Sequence, residues 1–215
     1  MLTKQGMESL RSWIIKTAAE SIYDHRPLMH PEVSAAFPHM LDSCQLQYAR
    51  FKYAVAAVLC PRTVYEVGVG WGVSALAFHN GCPSSHFFGI DNGDMHPNAI
   101  STGSIQLRTR TVDSADLAEF IHPDGPIDLL HIDGGHGLEH KAADIVKALN
   151  AKPEWLLVDD INNVMVAAGT FAGLYRAHRC PDLAMIYIGD AHTGNLLIHV
   201  DRQEPECRGL RIDRA

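Results

Sequence analysis

Four acids and one histidine stand where carboxylates and imidazoles do chemistry: Asp91, Asp133, Asp159, Asp160 and His136. Asp91 closes the apolar run Phe87-Phe88-Gly89-Ile90. Asp133 follows Ile127-Asp128-Leu129-Leu130-His131-Ile132 and leads into Gly134-Gly135-His136, while Asp159 and Asp160 close Trp155-Leu156-Leu157-Val158. Runs of this length and apolarity predict buried strands, and in open α/β sheets ligands bind outside the carboxyl ends of the strands. Acids at three strand ends therefore predict one polar site on that edge. A further strand, Thr63-Val64-Tyr65-Glu66-Val67, runs into Gly68-Val69-Gly70-Trp71-Gly72 and then a helical segment at 74–78. Glycines in such a turn allow positive φ and let the backbone come close to a nucleotide. Taken alone, the turn also reads as a tight connection that holds no ligand. Asp91 lies nineteen residues beyond Gly72, about where a Rossmann-like unit places the acid that binds a ribose diol. Above Asn92-Gly93 it also reads as a turn cap.

The surrounding elements follow from periodicity. Leu10, Trp13, Ile14, Ala18 and Ile22 fall at helical spacing within 5–23, which predicts an amphipathic helix. Residues 26–43, with Pro27, Pro31 and Pro38, predict a loop with a short helical turn. A helix over 45–59 leads to Pro61 and the strand at 63–67. Helix 74–80 and strand 86–91 come next. A polar stretch at 92–103, a helix near 104–108, a strand at 109–112 and a brief helix at 114–121 follow. Strand 127–132, helix 138–149, strand 155–159 and helix 164–178 continue the alternation. The strands at 185–188 and 195–200 have too short a link for a parallel crossover, so they must be antiparallel.

Composition sets bounds. A chain of 215 residues, 47% hydrophobic and 20% charged, fits one α/β domain able to bury a full core. The net charge of −7 and the lack of a basic patch disfavour a nucleic-acid partner. No apolar run has the length of a membrane span, and no signal-peptide core appears at the N-terminus. Cys44, Cys60, Cys82, Cys180 and Cys207 are odd in number and unpatterned, which points to free thiols and a cytoplasmic setting.

The Glu66-to-Gly72 turn, Asp91, Asp113-Ser114-Ala115, Asp133-to-His136 and Asp159-Asp160 occur in the order seen in class I S-adenosylmethionine-dependent methyltransferases, and the chain resembles them over residues 60–200. It is more narrowly similar to the metal-dependent O-methyltransferases of catechol and macrolide-sugar type. The resemblance implies a Rossmann-like fold: a mostly parallel seven-stranded sheet with a C-terminal antiparallel hairpin and helices on both faces. It implies a helical cap or lid over 1–60, containing Trp13, His30, Phe37 and His39, and a cofactor-binding core over 61–215. It implies S-adenosylmethionine held by Glu66, Gly68, Gly70, Gly72, Asp91, Asp113 and Ser114, although Ser114 also reads as a helix N-cap.

Neighbouring strands in such a fold bring Asp133, Asp159 and Asp160 together. Three converging carboxylates repel unless a cation neutralises them, so the resemblance implies a divalent metal, Mg²⁺ above all. The alternative is that Asp160 caps the next helix and Asp159 binds water. Asp133 and His136 are the implied catalytic groups, with His136 as base. His136 reads equally as a residue packed over the cofactor. His140 and Lys141 read as solvated helix surface, and His192 as a turn residue. The activity implied is O-methylation of a small-molecule hydroxyl on a natural-product sugar or phenol, with homo-oligomer formation left open. The rivals are a metal-free N- or carboxyl-methyltransferase, a dinucleotide-dependent oxidoreductase and a cofactor-binding protein without transfer chemistry.

Overall fold

The computed structural model describes residues 3–29, 34–35, 38–93, 108–177, 183–189 and 194–200. His30, Phe37, His192, the stretch 94–107, Cys180 and Cys207 lie outside the described residues. Two long helices come first, α1 (Lys4–Glu20) and α2 (Ser43–Leu59), with short 3₁₀ turns at Arg26–Leu28 and Pro38–Leu41 between them. Each has a side-chain cap: Thr3 accepts from the Gly6 amide at 3.1 Å and Asp42 from the Gln45 amide at 2.8 Å. Such caps satisfy donors that the first turn leaves open. α2 ends where Cys60 turns left-handed at φ 47° and Pro61 follows.

Strands and helices then alternate: β1 (Thr63–Val67), α3 (Val73–Gly81), β2 (His86–Asp91), β3 (Arg108–Thr111), β4 (Leu129–Ile132), α4 (Leu138–Asn150), β5 (Trp155–Val158) and α5 (Val164–Arg176). A hairpin of β6 (Ala184–Gly189) and β7 (Gly194–His199) completes the sheet. The order is β3-β2-β1-β4-β5-β7-β6, parallel from β3 to β5, with β7 antiparallel to both β5 and β6. This is the sheet expected from the sequence, hairpin included.

Every residue of β1, β4 and β5 is buried, because helices cover both faces. On one face Met7 and Ile14 of α1, Ala54 and Val55 of α2 and Phe78 of α3 join Val64, Leu129 and Leu157. On the other, Ile145 and Leu149 of α4 and Leu174 of α5 join Tyr65, Leu130 and Leu156. Residues before 60 thus share a core with the sheet. Trp13 is exposed on the outer side of α1, and His39 is exposed as well.

One element differs from expectation. The helix expected over 114–121 is a single 3₁₀ turn, Ser114–Asp116. Asp113 caps it by accepting from the Ala115 amide at 2.9 Å. Leu117 then returns to an extended conformation, which carries Phe120 inward against Tyr65 at 5.7 Å between ring centres. Among the described residues, no helix is long and apolar enough to cross a membrane.

Candidate active site

The sheet changes direction at β1. From there the chain steps outward to β2 and β3, then returns to place β4 on the other side. Crevices at such switch points are where open α/β sheets bind ligands. A cleft of 620 Å³ opens there, lined mainly by residues at or after the ends of β1 to β5, with Gln45 and Tyr48 from α2.

The glycine turn forms the floor. Gly68, Gly70 and Gly72 all have positive φ, at 88°, 50° and 75°. Their reasons differ. A Cβ on Gly68 would lie 2.6 Å from the Gly134 amide nitrogen, so this glycine lets the turn after β1 pass against the loop after β4. A Cβ on Gly70 would meet nothing within 4 Å, so this one faces open cleft. The Gly70 amide donates to Asp91 Oδ2 at 2.8 Å, and the Gly93 amide donates to Oδ1 at 3.1 Å. Asp91 is therefore a turn cap and a cleft residue together, since each oxygen keeps a second acceptor position.

Asp113 and Ser114 line the far wall. The Ser114 hydroxyl donates to Asp144 at 2.9 Å and lies 2.7 Å from His140 Nε2. Glu66 stands one layer back. It is fully buried, accepts from the Ser74 hydroxyl and lies 2.8 Å from His131 Nδ1. Glu66 and His131 are register partners on β1 and β4, so the pair is built by the parallel ladder itself. Glu66 Oε2 and His131 Nε2 are buried with no hydrogen-bond partner. Burial and the Lys52 charge push the His131 pKa down, but its contacts with Asp159 and Glu66 outweigh them and raise it.

The acids meet at the opposite end of the cleft. Each already has a protein partner. Tyr48 Oη donates to Asp133 Oδ2 at 2.7 Å. Lys52 Nζ donates to Asp159 Oδ2 at 2.9 Å, with neither side chain more than 1% exposed. His136 Nε2 lies 2.9 Å from Asp160 Oδ2 in a pair half open to solvent. Burial, then repulsion by Asp159, raises the Asp133 pKa to about 7. Burial pushes Asp159 up, but Lys52 and His131 outweigh it and hold the carboxyl well below its usual range.

The expected metal set was Asp133, Asp159 and Asp160. Two groups bring one ligand atom each within 4.8 Å of one another: His131 with Asp133 and Asp159, and His136 with Asp133 and Asp160. Neither is the three-carboxylate set. Asp159 Oδ1 accepts from the Asp160 amide at 2.9 Å and Oδ2 faces an ammonium. The residues present do not fit a hard divalent ion held by all three acids.

Two expectations need correction. Lys141 is fully buried, because it falls on the apolar stripe of α4 with Ala142, Ile145, Ala148 and Leu149. Its ammonium donates to the Gly134 carbonyl at 2.7 Å, and burial lowers its pKa although acids at 133, 144, 160 and 159 oppose this. His140 belongs to the cleft wall through Ser114. Tyr48, Lys52 and His131 were not foreseen at all. Their signals were present: a lysine four residues from a tyrosine inside the apolar run of α2, and a histidine inside a buried strand.

No family model matches the chain, and no curated protein matches it at a significant level. Solved structures do. The cofactor-bound protein Rv0187 from MTB aligns at TM-score 0.59 with 19% identity, over 88% of this chain and 96% of that one. An O-methyltransferase from Bacillus cereus in complex with SAH aligns at 0.59 with 14% identity, over 91% and 100%. The SAH-bound methyltransferase PaMTH1 from Podospora anserina aligns at 0.54 with 12% identity, over 91% and 87%. This is the class I methyltransferase fold. In this chain the switch-point cleft, the glycine floor and the acids all lie at the carboxyl ends of the parallel strands.

Two outcomes are expected. Gly68→Ala should cost about 2–4 kcal/mol in chemical denaturation, from a positive φ and a backbone collision that cannot relax. Equal stability of Gly68→Ala and Gly70→Ala would refute the distinction drawn between them. Asp133→Asn removes a carboxyl whose pKa is raised in the folded state. A raised carboxyl pKa contributes stability below about pH 4 that is lost as pH rises through about 7. The Asn variant should therefore match the parent at pH 4 and exceed it above pH 7, by on the order of 2–4 kcal/mol. A pH-independent difference between the two melting curves would contradict this.

Proposed function

We propose that the protein is an S-adenosylmethionine-dependent methyltransferase that acts on a hydroxyl of a small molecule. The observation that carries this reading is the pairing of two ends in one cleft. At one end Gly70 leaves open space beside Asp91. At the other, Asp133 and the His136–Asp160 pair converge. The first end suits a nucleoside: Asp91 offers two oxygens to a ribose diol, and Asp113 and Ser114 border the space beyond it for adenine. Glu66, fully buried and outside the cleft lining, supports this end from behind by fixing the Ser74 hydroxyl at the cleft wall. Bound there, the cofactor supplies a sulfonium methyl group as the electrophile.

The second end suits proton removal from an attacking hydroxyl. Where His136 Nε2–H donates to Asp160, Nδ1 keeps the lone pair that accepts a proton. Its half-open position lets that proton leave to solvent. Asp133, near neutrality at about 7 and held by Tyr48, orients the hydroxyl. Both ends act mainly by positioning. The net charge of −7 favours a small acceptor such as a phenol or a sugar over a nucleic acid. A divalent ion held by Asp133, Asp159 and Asp160 together has no part in this reading, because Asp159 is already held by Lys52.

Calorimetry should show one-to-one binding of S-adenosylhomocysteine and none of NAD. Gly70→Ala should weaken S-adenosylhomocysteine at least about tenfold, or 1.4 kcal/mol, because its methyl enters the space the ligand takes. Binding of NAD in preference to S-adenosylhomocysteine would overturn the assignment. With an acceptor found by methyl-transfer screening of phenols and sugars, His136→Ala should lower kcat more than it raises KM, as a group acting in the transition state does.

A further inference from the structure

Among the described residues two lysines are completely buried: Lys52 reaches Asp159, and Lys141 reaches the backbone beside Asp133. A buried ammonium is unfavourable unless anions compensate it. Lys52 comes from α2, outside the sheet, and crosses to Asp159 at 2.9 Å. It also donates to Asn195 of β7, and the rings of Tyr48 and Phe51 lie 4.6 and 5.5 Å from its nitrogen. Lys141 comes from the opposite face and is bonded to Gly134, the residue after Asp133. Positive charge therefore stands on both sides of the cluster. A divalent ion on Asp159 would enter beside an ammonium already 2.9 Å from one of its ligand oxygens, and like charges oppose that approach.

The same lysine also sets geometry. Asp159, once held, accepts from the Asp160 amide through its other oxygen. Asp160 is thereby kept left-handed at φ 58°, a conformation uncommon for a residue with a side chain. From there its carboxylate meets His136 at 2.9 Å.

We propose that Lys52 is the resident cation of this site. It takes the place a divalent ion would have on Asp159, and it acts as a positioning residue that orients His136 through Asp159 and Asp160. The catalytic side of this proposal rests on the methyltransferase reading, whereas the electrostatic side stands without it.

The test is a Mn²⁺ titration of the full chain, read by the electron paramagnetic resonance signal of the free ion. The parent should show no saturable site. Lys52→Met bares Asp159 beside Asp133, so it should bind Mn²⁺ at least about tenfold more tightly than the parent, which is 1.4 kcal/mol. A lysine with a merely structural role would leave metal affinity unchanged or reduced. Should Lys52→Met fail to fold, Lys52→Gln retains a donor for Asp159 and carries the same expectation. A saturable one-to-one Mn²⁺ site in the parent overturns the proposal, whether Asp159 or the His136–Asp160 pair holds the ion. A folded Lys52 variant with no gain in affinity overturns it too. S-adenosylhomocysteine binding by the same EDTA-treated samples reads the methyltransferase assignment separately. Its absence would remove that assignment and leave the metal comparison intact.

Discussion

The buried ion pair between Lys52 and Asp159 is the constraint on which the site depends. A carboxylate with 1% exposure has lost nearly all its hydration, and the loss is tolerable only with an opposite charge in good geometry. The strands bring one group that shares in it, His131 of β4, whose Nε2 lies 3.9 Å from Asp159 Oδ2. The closer cation, at 2.9 Å, comes from outside the sheet. α2 supplies it, and α2 is held by the Asp42 cap, by the left-handed Cys60 and by packing on α3 and α1. Tyr48 and Lys52 are four residues apart on that helix, so one face serves Asp133 and Asp159 together. Removing Lys52 would strand an uncompensated carboxylate, a loss of about 3–5 kcal/mol for buried pairs of this kind.

The parallel ladder imposes a second constraint. Register places Glu66 opposite His131 and Val67 opposite Ile132, so the turn after β1 and the loop after β4 leave the sheet side by side. Their backbones can then touch only if one of them lacks a side chain, and Gly68 meets that need. Close approach of the two loops narrows the cleft between the glycine floor and the acids. The site's dimensions are thus consequences of strand pairing, and its polarity is a consequence of α2 and α4 reaching in from either face.

Much of this was legible in residue order. Strands β1 and β2 could be bounded from periodicity alone, and the terminal hairpin followed from its short link. Periodicity also placed Asp91, Asp133, Asp159 and Asp160 at strand ends, because apolar runs stop where the sheet does. Partnership was not legible. Nothing local tells that Lys52 spans 107 positions to Asp159 or that Tyr48 spans 85 to Asp133. The misreading of Lys141 has a different origin: its charge suggested solvent, while its place on the stripe of Ala142, Ile145 and Leu149 already indicated the core. Where residue type and periodicity conflicted, periodicity carried the better information, since a long aliphatic stem can bury while its ammonium finds a carbonyl. The brief helix expected after Asp113 failed because a capping aspartate also closes a single turn.

The three acids hold partners of unequal permanence, and this orders what each can do. Lys52 and Asp159 are sealed from water, so their pair is fixed for as long as the fold persists. Tyr48 and Asp133 share a neutral donor and an acid near neutrality, an arrangement that takes up or yields a proton without leaving a bare buried charge. His136 and Asp160 stand half in solvent, with side chains 55% and 33% exposed, where an ion pair stabilises by no more than about 1 kcal/mol. That outer pair can part and reform at little cost, and His136 is its exposed member. Rigidity inside and exchange outside is the arrangement a proton acceptor needs: the inner pair sets where Asp160 points, and the outer imidazole is free to turn over its proton.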